Sequence, residues 1–299
     1  MRVLVTGRSG QVATCLAERA AVHGYEAVLV GRPEFDLTDA STISAAFDRW
    51  NPDIVVSAAA YTAVDRAENE RELAFSVNST GPAFVAAEAE ARSLPIIHIS
   101  TDYVFDGELQ RAYVETDPTV PTTVYGQSKL GGEAAVSKHS TNWAVLRTAW
   151  VFSPFGRNFV NTMLQLAEQK SEISVVKDQF GNPTGAHAIA DGILAVAKNL
   201  ITDSRPQLRG IFHMVCSGSA TWCEFAEAIF QLSARRGGPA AKVVGIMSDA
   251  YPTPARRPAN SRLDSTLIRQ IHGIKLPAWQ VALEDLMRRQ YEQYATFEG

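Results

Sequence analysis

The chain has 299 residues, 46% of them hydrophobic and 20% charged, with a formal net charge of −4. That length buries a nucleotide-sized core with a smaller lobe attached, and the balance excludes a disordered or fibrous polymer. The basic residues are scattered rather than massed and no apolar stretch nears the roughly 18 residues of a membrane span, so neither nucleic acid nor membrane is an expected partner.

Short apolar runs alternate with helix-length segments through the first half. Strands are expected at Arg2 to Thr6, Ala27 to Val30, Ile54 to Ala58, Ile96 to Ser100 and Ala144 to Arg147. Helical periodicity fills the gaps at Gln11 to His23, Thr42 to Trp50 and Phe75 to Arg92, the second behind an Asp39/Ser41 start signal. Continuous apolar runs suit strands covered on both faces, so the fold class is α/β, a Rossmann-type doubly wound parallel sheet. After Trp150 the texture changes to Gly- and Pro-bearing loops with helices at Asn161 to Gln169, Ala188 to Asn199, Thr221 to Ala234 and Trp279 to Tyr294, and strands at Ile173 to Val176 and Ile211 to Val215. The division is therefore a dinucleotide-binding domain over 1–150 and a mainly substrate-binding α/β lobe over 151–299, with parts of the later chain returning to the first sheet.

The first strand runs into Gly7-Arg8-Ser9-Gly10-Gln11-Val12-Ala13 and then into a helix. Glycines there let the backbone turn tightly and approach a pyrophosphate, and the helix start offers free N–H groups and a positive dipole end. Gly7, Gly10, Gln11 and Val12 are the candidate cofactor turn. The second strand ends in Val30-Gly31-Arg32 rather than in a carboxylate. A guanidinium suits a 2′-phosphate, so NADPH is favoured, with NADH as the second candidate. Asp36, followed by Leu37, either reaches the adenine edge or caps the turn after it.

Tyr125-Gly126-Gln127-Ser128-Lys129 opens a helical segment, and the four-residue spacing puts phenol and amine on one face. A carbonyl that receives a hydride becomes an alkoxide needing a proton; Lys129 is expected to lower the pKa of Tyr125 so that it donates. The strand at Ile96 ends in Ser100-Thr101, putting a hydroxyl at the carboxyl end of the sheet, where Thr101 can assist as an oxyanion donor. Alternation sends Ser100 and Thr101 opposite ways, so only one serves. Cys15, Cys216 and Cys223 form neither an even disulfide set nor a metal spacing, and His98 and His187 lack a second ligand, so no metal is expected. Met1 leads into a strand without a leader-like stretch, which with the cysteine usage makes a cytoplasmic location the expectation.

Together with Gly10-Gln11-Val12, Ala58-Ala59-Ala60-Tyr61-Thr62-Ala63-Val64-Asp65, Ser100-Thr101-Asp102-Tyr103-Val104-Phe105, Leu146-Arg147-Thr148-Ala149-Trp150, Asp178-Gln179-Phe180-Gly181-Asn182-Pro183-Thr184 and Arg257-Pro258-Ala259-Asn260-Ser261-Arg262-Leu263-Asp264, these motifs span nearly the full length. The chain resembles the extended short-chain dehydrogenase/reductases, and within them the dTDP-4-dehydrorhamnose reductase family. The resemblance implies NADPH-dependent reduction of the C4 keto group of dTDP-4-dehydro-L-rhamnose, for cell-envelope polysaccharide, with Tyr125 as proton donor, Lys129 as its partner and Thr101 as second hydroxyl. It implies that Ala58, Ala59, Ala60 and Tyr61 border the cofactor and that Thr62, Val64, Tyr103 and Trp150 surround the sugar, an assignment extended to Asn158 and Arg257. A homodimer is compatible with it. The alternatives are another nucleotide-sugar 4-keto reductase or an epimerase, and a non-catalytic dinucleotide-binding regulatory subunit, which has no reason to retain Thr101, Tyr125 and Lys129 together.

Overall fold

The structure is a computed structural model that describes residues 1–295, with side chains through Tyr291. Its first half alternates strand and helix: β1 (Arg2–Thr6), α1 (Gln11–Val22), β2 (Glu26–Val30), α2 (Ala40–Trp50), β3 (Ile54–Ser57), α3 (Val64–Ala67), α4 (Arg71–Phe75), α5 (Gly81–Ala91), β4 (Ile96–Thr101), α6 (Val124–His139) and β5 (Trp143–Thr148). The second half supplies β6 (Val151–Phe152), α7 (Phe159–Ala167), β7 (Glu172–Val176), β8 (Phe180–Gly181), β9 (Thr184–Gly185), α8 (Ala186–Thr202), β10 (Gly210–His213), β11 (Ala220–Thr221), α9 (Trp222–Ala234), β12 (Lys242–Ile246), α10 (Thr266–His272) and α11 (Trp279–Ala295).

Six parallel strands form the central sheet in the order β10-β5-β4-β3-β1-β2. Chain direction through the sheet reverses between β1 and β3, the switch point outside whose carboxyl ends such sheets bind ligands. The strands carry almost unbroken burial: Val3, Leu4, Val5, Ile54, Val55 and Val56 are fully enclosed. Each contributes on the order of 2 kcal/mol of apolar burial, which explains why their sequences lack alternation. One core includes α1, α8, β10 and α11 on one face, while Leu4, Val28, Phe47, Val85 and Val136 make up a second on the other. The later chain thus completes the sheet through β10 and covers it through α8.

Phe75 to Arg92 is not one regular helix. α4 passes through a π-helical turn, Ser76–Thr80, before α5 begins with Pro82 near its start. Proline lacks the N–H to reach back four residues and its ring crowds that carbonyl, so the ladder widens just ahead of it. The widened turn holds Asn78, fully buried, against the loop after β3 and against α6.

Candidate active site

β1 delivers Gly7 at φ 105°, where an L side chain is strained. The Gly7 amide donates to the Val30 carbonyl at 2.7 Å, and the Thr6 hydroxyl accepts from the amides of Ala58 and Ala59 at 3.0 and 2.9 Å. These bonds tie the ends of β1, β2 and β3 together at the switch point. Gly10 is the extended N-cap of α1, no side chain caps that helix, and a Cβ on Gly10 would stand in open space. Exposed amides at a positive helix end, with room for atoms against them, fit a diphosphate. Gln11 accepts from the Ser153 hydroxyl at 2.8 Å, joining the turn to the later chain, and Val12 packs on the main core.

Arg32 is exposed beyond β2. Arg8 lies beside it: its stem packs over Gly31, and its guanidinium reaches Glu34 at 2.7 Å. Arg8 and Arg32 are thus neighbours at the end of β2; Arg8 went unnoticed in the sequence because a residue between two glycines of a phosphate turn reads as spacing. Asp36 accepts from the Thr38 amide and hydroxyl at 2.9 and 2.8 Å, which hold its carboxyl below the usual range. Of its two readings, the structure shows the turn cap. The Leu37 side chain is buried under Gly81, leaving only its backbone for a ligand. Ala58, Ala59 and Ala60 are half-buried along the same rim. Tyr61 is pinned by Asn78, whose amide accepts from the Tyr61 N–H at 2.7 Å and donates to its carbonyl at 3.0 Å.

α6 starts with Thr123 capping the Gly126 amide. Its face carrying Tyr125, Lys129 and Glu133 lies along β4. The Tyr125 phenol is near enough to Thr101, at the end of that strand, for the hydroxyl to affect its pKa, and the Lys129 ammonium donates to the Ile99 carbonyl at 2.6 Å. Ser100 also faces α6 but is taken up by Glu133, to which it donates at 2.5 Å, which leaves Thr101 as the hydroxyl at the strand end. One expectation is corrected. Lys129 does not lower the Tyr125 pKa; burial pushes the phenol up to about 12, against a smaller opposing effect of the Thr101 hydrogen bond, with the charge of Asp102 adding to the rise. The amine is turned onto Ile99 and His98 instead, and burial brings it down to about 8 while the Glu133 carboxylate resists. Removing the phenolate from water costs more than its neighbours return.

Thr101 donates to Asp102 at 2.9 Å and accepts from the Tyr103 amide at 3.2 Å. Asp102 is buried, its second oxygen has no partner among the described residues, and burial raises it to about 6. The Tyr103 ring meets that of Tyr125 edge-on at 5.5 Å, and burial raises its phenol also. Arg257 reaches Asp65 at 2.7 Å with one terminal nitrogen, while the other is buried without a partner among the described residues. Thr62 is exposed and Val64 opens α3 next to Asp65. Trp150, at φ 46°, stacks on Trp222 with ring centres 3.4 Å apart, donates to Ser261 at 3.1 Å and lies against Gly181. Asn158 uses its side chain as the N-cap of α7 and on the Ser153 carbonyl, which places it in the loop facing Gln11. Asn78, Asp102, Trp222 and Ser261 were not assigned from sequence. Only Asp102 carried a signal there, as an acid directly after the strand that ends in Thr101.

The family described as the RmlD substrate binding domain matches residues 1–292. A dTDP-4-dehydrorhamnose reductase of Sinorhizobium fredii is 45% identical over 287 residues, covering 96% of this chain and 97% of that protein. Among solved structures, a dTDP-4-dehydrorhamnose reductase from Clostridium acetobutylicum has a TM-score of 0.90 at 32% identity, covering 97% of this chain and 99% of that one. Another, from Bacillus anthracis in complex with NADP, has a TM-score of 0.90 at 31% identity, covering 96% and 99%. With a phosphate turn, a Tyr125/Lys129 helix and agreement along almost its whole length, the chain belongs to the dTDP-4-dehydrorhamnose reductase family.

Proposed function

We propose that the chain reduces the C4 keto group of dTDP-4-dehydro-L-rhamnose to dTDP-L-rhamnose with NADPH. The observation carrying this reading is the group of buried Thr101 and Lys129 with partly buried Tyr125 at the carboxyl end of β4, with the turn at Gly7 and Gly10 at the end of β1. The names of the relatives supply the sugar, and the NADP held by the Bacillus anthracis structure supports the cofactor. Gly7, Gly10, Gln11 and Val12 would hold the diphosphate, Ala58 to Tyr61 would border the nucleotide, and Arg8 with Arg32 would take the 2′-phosphate. When bound, the cofactor supplies hydride to the carbonyl carbon.

The chain's own residues handle the proton. Tyr125 is a neutral phenol at pH 7 and donates its O–H to the carbonyl oxygen; the Thr101 hydroxyl, turned away from Asp102, donates to the phenolate that remains. Tyr103 walls the sugar on one side and Trp150, braced by Trp222, on the other. The free nitrogen of Arg257 suits a diphosphate oxygen, and Thr62 and Val64 line the approach. Most of the described residues after 150 form this lobe, less α8 and β10, which serve the sheet. Incubating the purified protein with NADPH and dTDP-4-dehydro-L-rhamnose, while following absorbance of the reduced nicotinamide, tests the reading. One cofactor consumed per sugar is expected; conversion without net consumption would indicate epimerisation, and no conversion would overturn it.

A further inference from the structure

His98 is fully buried on β4, and the activity described above leaves it unused. Its Nε2 lies 3.3 Å from the Lys129 Nζ and its Nδ1 lies 3.1 Å from the Ser57 hydroxyl on β3. An ammonium only donates, so Nε2 must accept; a neutral imidazole with one acceptor then carries its proton on Nδ1, donating to Ser57. The packing leaves little freedom. Gly132 of α6 lies over the ring, where an added Cβ would come within 3.0 Å of Nε2 and closer still to the Asn78 carbonyl.

We propose that His98 is a positioning residue for Lys129: with the Ile99 carbonyl it takes two of the three ammonium protons, fixes where the amine stands under Tyr125, and leaves the third N–H for the nucleotide side of the cleft. This rests on the reading of Lys129 as the partner of Tyr125. The groups acting on the amine are His98 and the Ile99 carbonyl from β4 and the Glu133 carboxylate from α6, which is itself paired with Arg147 of β5. Burial, together with the charge of Lys129, keeps His98 well below its ordinary value, so it stays neutral throughout the working range and acts as an acceptor at every pH of interest. Withdrawing that acceptor removes a hydrogen bond that is stronger from the charged amine than from the neutral one, which lowers the Lys129 pKa.

The test uses three variants of the full chain. His98→Leu removes the acceptor, His98→Asn keeps a polar group near Ser57 but withdraws it from Lys129, and His98→Gln restores a carbonyl oxygen at the reach of Nε2. Lysine labelled with ¹³C at Cε is titrated by NMR in the protein alone, which has seven lysines, and the pH dependence of reduction is measured alongside. In the Leu and Asn variants the Lys129 resonance and the alkaline limb of the rate profile should both move down by about one pH unit, and in the Gln variant both should return toward the parent. If Leu fails to fold, the contrast of Asn with Gln gives the same comparison. A Lys129 titration unmoved in folded Leu or Asn variants overturns the proposal. Because the resonance is read without substrate, its shift is independent of whether the sugar assignment holds.

Discussion

Glu133→Gln should destabilise this protein far more than any surface charge change. Arg147 Nε reaches Glu133 Oε1 at 2.9 Å, Nη2 reaches Oε2 at 2.7 Å, and Ser100 donates to Oε1 at 2.5 Å. Both side chains of the ion pair are almost wholly enclosed, at 2% and 3% exposure. The remaining terminal nitrogen of Arg147 has no partner among the described residues, and its guanidinium carbon stands 5.1 Å from the centre of the Phe105 ring. Removing the carboxylate charge therefore leaves a buried guanidinium facing an amide, one of whose groups is a donor aimed at a donor. Breaking a buried pair from one side costs about 3–5 kcal/mol, which is roughly 5–8 °C in Tm for a chain of this size. Urea unfolding of Glu133→Gln, Arg147→Met and the double variant Glu133→Met/Arg147→Met forms the assay. Each single change should show the full cost, while the apolar double variant, which leaves no charge behind, should recover most of it. A single variant within about 1 kcal/mol of the parent, or a double variant as weak as the sum, would refute the reasoning.

Tyr125→Phe should lower the rate of reduction by about 10²–10⁴ while leaving NADPH affinity near that of the parent, read by stopped-flow and by nicotinamide fluorescence; equal turnover would remove Tyr125 as the proton donor. Arg8→Ala and Arg32→Ala should each weaken NADPH binding on the order of tenfold and NADH binding hardly at all, and an equal loss for both nucleotides would count against a 2′-phosphate site. The raised Asp102 carboxyl, at about 6 against an ordinary 3.8, means that the folded protein holds this proton more tightly than the unfolded chain. Its contribution is therefore most favourable below pH about 4 and is lost as pH rises to about 6, by about 3 kcal/mol in all. Asp102→Asn should flatten that part of the stability profile in urea titrations, and an unchanged slope would mean that Asp102 is not buried as a neutral acid.

The strands of the central sheet were readable because helices cover both faces, leaving runs such as Val3-Leu4-Val5 with no polar interruption. That only one of Ser100 and Thr101 serves was readable from strand alternation, while the preference for Thr101 came from the family resemblance. What escaped depends on contacts remote along the chain. Trp222 stacks on Trp150 across 72 positions with no local trace. Ile211 to Val215 reads as a strand, which the structure sets at Gly210–His213, but its place beside β5 is decided by which sheet edge remains open. The lowering of the Tyr125 pKa failed as an expectation because a motif gives the spacing of two groups but not the solvent removed from around them. Asp36 had two roles in the sequence, and a threonine two residues on decided for the turn.

Asn78 has a mechanical consequence. One amide clasps the backbone at Tyr61 and, at 2.9 Å, the hydroxyl of Ser128, so the rim of the nucleotide groove and the helix bearing the proton donor are riveted into a single chassis. Remodelling for a different sugar should accordingly succeed at Trp150, Trp222 or Ser261, which belong to the outer wall. Edits around position 78 would detune both halves of the machinery together.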